Sequence, residues 1–302
     1  MKTQTFYSNG KLLLTGEYAI LDGAIGLAVP TKLGQSLKVS SSDSGIITWT
    51  SINEKEETWF DASYQLPDLK LITTSDKGIA KKLCQILKVS KTLNSGFLND
   101  AKGYHIETVL RFPRNWGLGS SSTLINNIAQ WAAIDAHELL RNTFGGSGYD
   151  ISSAQHNTPI FYNLNSGRPI VKSVSFNPVF KDQLFFVHLN KKQNSREAIA
   201  NYRKQEFDSV QLIASITNLT EQLVAAASVS DVEALLIAHE SILSKVLKMP
   251  PVKQKFPDYF GEMKSLGGWG GDFVLATGNQ KTPDYFKVKG FNTVIPYSEM
   301  VL

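Results

Sequence analysis

The fold is decided by a short run of small residues, Asn115-Trp116-Gly117-Leu118-Gly119-Ser120-Ser121-Ser122-Thr123. Its glycines leave backbone N–H groups open to an anion, and its serines add hydroxyl donors. Apolar residues then recur at helical spacing over residues 120–140, which directs the positive end of a helix dipole to the same place. The run therefore predicts a phosphate-binding loop. The alternative is an ordinary Gly-Ser turn that caps a helix.

Composition is that of a soluble globular protein. Of the 302 residues, 42% are hydrophobic and 19% are charged, which suffices for a substantial core. The net charge of +4 arises from dispersed basic residues, which favours a small anionic ligand over a nucleic acid. A single cysteine, Cys84, excludes an internal disulfide bond. With neither a secretory signal nor an apolar run approaching about 18 residues, we expect no membrane contact and a cytoplasmic location.

The residues before the run predict an antiparallel sheet and one helix. Short strands over residues 5–8 and 11–15 flank the turn signal Asn9-Gly10 and predict a hairpin. Residues 75–88 have an amphipathic helical period, and residues 104–112 alternate as a strand that leads into the run. Strand, glycine loop and helix together are the usual setting of a phosphate loop, although no Gly-Lys-Ser/Thr closes this one as in a Walker A motif.

A separate glycine-rich run, Gly145-Gly146-Ser147-Gly148-Tyr149-Asp150, presents one carboxylate on a tight backbone. Asp150 is either a general base beside bound phosphates or the cap of the helical turn that follows. Glu138 lies one to two helical turns before this run and can reach the same cavity, unless it is a solvated surface residue. A serine hydroxyl and a carboxylate are suitable ligands for Mg²⁺, which prefers oxygen donors.

The carboxy-terminal half adds a further glycine-rich run. A strand predicted over residues 183–189 is followed by basic and amide residues. These residues either bind an anionic group or are solvated in a loop. Helices predicted over residues 207–227 and 231–248 look structural, the second opening with a capping box from Ser230 to Glu233. The run Gly267-Gly268-Trp269-Gly270-Gly271-Asp272 then predicts close approach of the backbone to another group.

Three segments in this order resemble the motifs of the GHMP kinases, a superfamily that includes galactokinase, homoserine kinase, mevalonate kinase and phosphomevalonate kinase. The first glycine segment is residues 10–21, Gly10-Lys11-Leu12-Leu13-Leu14-Thr15-Gly16-Glu17-Tyr18-Ala19-Ile20-Leu21. The second glycine segment is residues 113–122, and the third is residues 267–272. The resemblance spans nearly the whole chain and is greatest to phosphomevalonate kinases, with mevalonate kinases next.

The resemblance implies an α/β (α+β) fold of two domains with the active site between them. Residues 1–170 would form the ATP-binding domain, similar to the second domain of ribosomal protein S5. Residues 171–302 would form a ferredoxin-like domain. The cofactors implied are ATP and Mg²⁺.

The resemblance also implies roles for individual residues. Asp150 would be the catalytic carboxylate with Lys11 as its charged partner, and Ser121 and Glu138 would bind Mg²⁺. The phosphates of ATP would be bound by Gly117, Leu118, Gly119, Ser120, Ser121 and Ser122. The substrate would be bound by Glu17, Tyr18, Ser147, Gly148, Ser195, Arg196, Gly268, Gly270, Gly271 and Asp272.

These assignments predict transfer of the γ-phosphoryl group of ATP to a small anionic acceptor, mevalonate or 5-phosphomevalonate. A hydroxyl acceptor would give its proton to Asp150, whereas a phosphate acceptor needs only added cations such as Lys191, Lys192 and Arg196. The alternatives are a sugar or homoserine kinase of the same superfamily, or a sensor of this fold that binds a metabolite without turnover.

The chain departs from the family pattern at three positions. Trp116 precedes the second glycine segment and Trp269 interrupts the third, where either indole would crowd or stack on the nucleotide. Glu138 is offset by about one residue from the metal-binding glutamate of mevalonate kinases. The sequence leaves a monomer and a homodimer equally open.

Overall fold

The computed structural model describes residues 3–99 and 102–302, with only the backbone of Ser195 and Arg196. Contacts divide the described chain into two compact units that are interleaved in the sequence. Unit 1 draws on the ranges Met1–Gly10, Leu33–Arg114 and Leu118–Gln155, and unit 2 on Lys11–Lys32, Asn115–Gly117 and His156–Leu302. The domain boundary predicted after residue 170 stays a prediction.

The described chain contains both strands and helices, in groups along the sequence, as expected for a mixed α/β protein. The strands are β1 (Thr3–Thr15), β2 (Gly26–Ser42), β3 (Ile46–Ile52), β4 (Thr58–Gln65), β5 (Lys70–Thr74), β6 (Gly103–Leu110), β7 (Ile160–Asn165), β8 (Arg168–Ser173), β9 (Leu184–His188), β10 (Met263–Ser265), β11 (Phe273–Thr277) and β12 (Val294–Pro296). The helices are α1 (Lys77–Leu93), α2 (Ser120–Ala132), α3 (Ala136–Arg141), α4 (Tyr149–Gln155), α5 (Ser195–Tyr202), α6 (Ser209–Ala225), α7 (Val229–Leu247), α8 (Thr282–Val288) and α9 (Tyr297–Met300). The predicted α/β class is confirmed.

Unit 1 is a sheet covered by helices. β2 pairs antiparallel with β6 from Gln35↔Leu110 to Ser42↔Gly103, β6 pairs parallel with β3, and β4 and β5 continue antiparallel. Side chains alternate between buried and exposed along β3 and β4, as in a sheet with one wet face. The buried face packs on α1 and α2 through residues such as Trp49, Tyr64 and Ile128. This packing fixes the start of α2, where the second glycine segment ends.

Unit 2 contains a four-stranded antiparallel sheet in the order β10-β11-β9-β12. β9 and β11 are buried along their whole length, which is why both read as continuous apolar runs in the sequence. In the same unit, the start of β2 pairs with β7, which pairs with β8. The third glycine segment is the connection from β10 to β11. Its two ends are therefore set by paired strands.

Three local predictions are wrong. Asn9-Gly10 makes no hairpin turn because the chain passes through it as one strand, β1, in which Ser8 Oγ donates to Asn127 Oδ1 at 2.7 Å. The helix predicted over residues 120–140 is two helices, since Ala133 adopts a left-handed φ of 52° and the Asp135 carboxylate then caps α3. The capping box of α7 joins Ser228 to Asp231, two residues before its predicted place.

Among the residues that the structure describes, no helix combines the length and apolar character needed to cross a membrane.

Candidate active site

The second glycine segment turns sharply into α2. Gly117 and Gly119 have φ angles of 69° and 89°, in the left-handed region that favours glycine. Ser122 Oγ donates back to the Gly119 carbonyl at 2.9 Å, and Thr123 Oγ1 donates to Gln35 Oε1 at 2.7 Å. The hydroxyl of Ser122 therefore serves the turn itself. Ser120 is half-buried and Ser121 is exposed, so that these two carry the side chains best placed for a ligand.

Residues from all three glycine segments meet inside unit 2. Lys11 Nζ donates to the Gly117 carbonyl at 3.1 Å. The Asp272 carboxylate lies against the same glycine, since a Cβ built on Gly117 would stand 2.7 Å from Asp272 Cγ. Burial raises the pKa of Asp272, and the Gln193 N–H and the charges of Lys11, His188 and Lys192 partly oppose that rise. The three glycine segments therefore converge at Lys11, Gly117 and Asp272.

The third glycine segment lies against the chain that follows β9. A Cβ on Gly271 would stand 2.5 Å from the Lys191 carbonyl oxygen, and one on Gly268 would stand 2.9 Å from Gln193 Cβ. The Asp272 N–H donates to the Lys191 carbonyl at 2.6 Å, and the Gln193 N–H donates to Asp272 Oδ1 at 3.3 Å. The group that approaches these glycines is therefore another part of the same chain. Substrate binding by Gly268, Gly270 and Gly271 stays a prediction.

The two tryptophans occupy different surroundings. Trp269 is 1% exposed and packs in a core of unit 2 with Tyr18, Tyr202 and Leu212, so it is a structural residue there. Trp116 packs edge-to-face on Phe273 with ring centroids 5.4 Å apart. Beside it, His188 Nε2 lies 3.2 Å from the Asn115 carbonyl. Trp116 thus belongs to an aromatic group at the start of the second glycine segment.

Glu17 and Tyr18 lie in the interior of unit 2. Glu17 is 1% exposed, and its Oε1 accepts a hydrogen bond from Lys264 Nζ at 2.5 Å. Tyr18 has a φ of 63° and stacks on Tyr202 with ring centroids 5.3 Å apart. Lys264 was not singled out from the sequence. The signal for it is a lysine in the short strand β10, three residues before the third glycine segment.

Asp150 follows an open glycine turn in unit 1. Gly145, Gly146 and Gly148 have positive φ angles, and nothing lies within 4 Å of a Cβ built on Gly145 or Gly146. α4 begins at Tyr149, so that Asp150 lies within its first turn. Asp150 is half-buried, as is Ser147, whereas Gly148 is buried. Both alternatives for Asp150, a general base and the cap of this helical turn, stay predictions.

The two predicted magnesium ligands lie on different helices of unit 1. Ser121 is in the first turn of α2, and Glu138 is in the first turn of α3; both are exposed. Within residues 3–99 and 102–302, no cluster of three or more His, Cys, Asp or Glu side chains has the arrangement of a protein-only metal site. Mg²⁺ usually takes one or two protein oxygens and completes its shell with water and phosphate, so this donor set suits it.

Ser195 and Arg196 begin α5. Their side chains lie outside the described part of the structure, so their predicted substrate contacts stay predictions.

Comparison with known proteins identifies the fold. No protein-family model and no curated protein sequence matches the chain. Mevalonate kinase of Methanococcus jannaschii is similar in structure, with a TM-score of 0.72 at 16% identity over 97% of both chains.

Two further solved structures are similar over most of their length. Phosphomevalonate kinase of Streptococcus pneumoniae, in complex with phosphomevalonate and AMPPNP, has a TM-score of 0.68 at 14% identity over 96% of both chains. Galactokinase of Lactococcus lactis, in complex with galactose, has a TM-score of 0.70 at 12% identity, over 98% of this chain and 94% of its own. The protein therefore has the fold of the GHMP kinases, as its sequence motifs predicted.

Proposed function

We propose that the protein is an ATP-dependent small-molecule kinase that transfers the γ-phosphoryl group of ATP to a small anionic acceptor. The observation that carries the proposal is the contact of Lys11, Gly117 and Asp272, which joins all three glycine segments. A cation beside the turn that leads into α2 suits a polyphosphate, because the free N–H groups and the helix dipole at the start of α2 attract the same anion.

The chemistry asks little of the protein beyond alignment and charge. The bond between the γ-phosphorus and the oxygen bridging to the β-phosphate breaks, a bond from that phosphorus to the acceptor oxygen forms, and ADP leaves with the bridging oxygen. Asp150 is proposed to take the proton of an acceptor hydroxyl, and Lys11 to stabilise the developing alkoxide. An acceptor phosphate is already ionised and requires no base.

Mg²⁺ is proposed to be held by Ser121 and Glu138, whose exposed hydroxyl and carboxylate oxygens are of the kind it prefers. When bound, it would neutralise part of the charge of the phosphates. The side chains of Ser120 and Ser121 and the N–H groups that open α2 would orient the phosphates themselves.

The acceptor is proposed to be mevalonate or 5-phosphomevalonate. In support, a Leishmania mevalonate kinase in complex with R-mevalonate has a similar fold, with a TM-score of 0.67 at 15% identity, as does the phosphomevalonate kinase complex. The exposed cations Lys191 and Lys192 follow β9 and suit an anionic acceptor. Galactokinase is about as similar to this chain in fold, so the acceptor must be identified by assay.

An acceptor screen tests the proposal. The purified chain is incubated with ATP and Mg²⁺ and with mevalonate, 5-phosphomevalonate, galactose or homoserine, and ADP release is measured. We expect release with one of the first two acceptors. Release only with galactose or homoserine would show that the kinase acts on another class of substrate. ATP binding by calorimetry without release in any sample would indicate a sensor, and absence of both would overturn the proposal.

The substitution Asp150→Asn tests the general base. With a hydroxyl acceptor, we expect kcat to fall by about 10²-fold or more while ATP affinity stays within about threefold, because the lost group acts in proton transfer. Asp43→Asn, at an exposed turn of unit 1, is the matched control and should leave kcat unchanged. Undiminished turnover by the Asp150 variant would exclude its role as the base.

A further inference from the structure

A charged cluster is enclosed in unit 2. Lys264 and Glu17 are 0% and 1% exposed, with Nζ and Oε1 2.5 Å apart. His239 is 1% exposed, and its Nε2 lies 3.4 Å from Glu17 Oε2. Removing a lysine and a carboxylate from water carries a desolvation cost, and pairing only offsets that cost. Replacing a buried ion pair by apolar residues of equal volume is often neutral or stabilising, which points to a purpose other than stability.

Adjacent residues of α7 tie this cluster to two glycine segments. His239 Nε2 accepts a hydrogen bond from the Gly16 N–H at 3.1 Å, in the turn that ends β1. Glu240 Oε1 accepts one from the Ser265 N–H at 2.6 Å, at the end of β10, and its Oε2 accepts one from the Val252 N–H at 3.0 Å. One turn of α7 thus holds the backbone of the first segment and the backbone that opens the third.

The held turn has little freedom of its own. Gly16 has a φ of 93°, and a Cβ there would stand 2.6 Å from Gly26 Cα. Tyr18 has a positive φ of 63°, which is unfavourable for an aromatic residue. Glu17 lies between these two residues, and its carboxylate is anchored by Lys264. Such a turn keeps its shape only where its surroundings enforce it.

We propose that Glu17, Lys264 and His239 form a positioning cluster that fixes β1 against β10 and thereby sets Lys11 and Asp272 beside Gly117. This inference rests on the proposed kinase function. It differs from the sequence prediction for Glu17, because the carboxylate acts through Lys264 and does not touch the substrate. From the cluster, β1 leads back to Lys11 and the third segment leads forward to Asp272.

Within the cluster, Glu17 should titrate near neutral pH. Burial raises the pKa of Glu17 to about 7, although the Lys264 charge and hydrogen bond oppose that rise. Burial also raises the pKa of Glu240, while burial and Lys264 together lower that of His239 well below its usual value. The charged or titratable groups that face Glu17 are Lys264 on β10, His239 and Glu240 on α7, and the neighbouring Tyr18. As the pH falls through about 7, Glu17 is neutralised and Lys264 loses its counterion.

Steady-state kinetics test the inference with Glu17→Gln, Lys264→Met and the double variant. We expect each single variant to lower kcat by about tenfold or more with the acceptor KM within about threefold, because alignment is lost and contact with the acceptor is not. The double variant should recover part of kcat, because no buried charge is left unpaired. The wild-type kcat should fall below about pH 7 relative to that of Glu17→Gln.

The matched control is the pair Lys253 and Glu262, which lies in the same unit at 3.7 Å with both side chains 28% exposed. Its Met and Gln variants should leave kcat, KM and the pH profile unchanged. A rise of the acceptor KM in Glu17→Gln alone would make Glu17 a substrate ligand and overturn the inference. So would full activity in both single variants.

Hydrogen exchange tests the same inference without turnover. In Lys264→Met, the amides around Gly16 and around Ser265 should exchange together about tenfold faster than in the wild type, because Lys264 donates both to Glu17, beside Gly16, and to the Ser265 carbonyl. The control pair should leave both unchanged. If the wild type consumed no ATP with any acceptor, the kinase proposal would fail, and this measurement would still decide the positioning role. Faster exchange at only one of the two places would overturn it.

Discussion

Two glycine runs that look alike in the sequence, residues 145–148 and 267–271, have opposite surroundings. A Cβ on Gly145 or Gly146 would meet nothing within 4 Å, whereas one on Gly271 would stand 2.5 Å from the Lys191 carbonyl oxygen. The run at residues 145–148 needs glycine for its backbone angles, since Gly145 and Gly146 both have a positive φ. The third glycine segment needs glycine at residue 271 because another part of the chain occupies the place of the side chain. Glycine density alone does not tell these causes apart.

The difference bears on the proposed site. Glycines of the third segment are covered by residues 191–193, so the anion contacts of that region must come from side chains such as Lys11. The run before Asp150 leaves open space, which a ligand beside that carboxylate requires. Replacing single glycines by alanine measures each cause separately.

Gly271→Ala should have the largest effect. The new methyl group would meet a backbone carbonyl at 2.5 Å and Gln193 Cγ at 2.8 Å, and the carbonyl cannot move without disturbing β9 and the Asp272 N–H bond. We expect the free energy of unfolding in urea to fall by about 3 kcal/mol, at the upper end of the usual cost of overpacking.

Gly78→Ala is the control for Gly271→Ala. Its φ is also outside the left-handed region, and its Cβ would meet only the end of the Asp76 side chain at 3.3 Å. Because Gly78 lies in α1, where alanine is favoured, the substitution should be neutral or stabilising by up to about 1 kcal/mol. A loss of equal size in the two variants would show that contact with residues 191–193 is not the cause.

Gly117→Ala should have an intermediate effect, because angle and contact both contribute. Its φ is 69°, and its Cβ would stand 2.7 Å from the Asp272 carboxyl carbon. We expect the free energy of unfolding to fall by about 2 kcal/mol. The part of this loss that arises from the contact should disappear when Asp272 is also replaced by alanine. Unfolding in urea of both single variants and the double variant gives the coupling. Strictly additive losses would place the Asp272 carboxylate away from Gly117.

Much of the fold follows from local sequence signals. The period of residues 75–88 predicts α1, the alternation of residues 104–112 predicts β6, and the strand, loop and helix around residues 113–132 are present as expected. The failures are also physical. Asn9-Gly10 carries a strong turn signal, but Ser8, Asn9 and Gly10 are buried in β1, so tertiary packing overrides the local preference.

The site is less predictable, because its contacts join distant residues. Local motifs located Lys11, Gly117 and Asp272, each beside glycines. Lys264 escaped notice because its partner, Glu17, is 247 positions away, and a lysine in a strand normally indicates an exposed edge. His239 looks like any other residue of an amphipathic helix. Only the folded chain shows that it accepts the Gly16 N–H.

Gly145→Ala should have the smallest effect and isolates the cost of the backbone angle. Its φ of 68° is unfavourable for alanine by about 1–2 kcal/mol, and the reduced freedom of the unfolded chain returns part of that cost. With nothing within 4 Å of the new methyl group, we expect a net loss of about 1 kcal/mol in urea unfolding. Subtracting this value from the loss in Gly117→Ala gives the contact part of the latter. A loss in Gly145→Ala as large as that in Gly271→Ala would mean that the turn before Asp150 is closely packed, and the open space proposed for the ligand would then be absent.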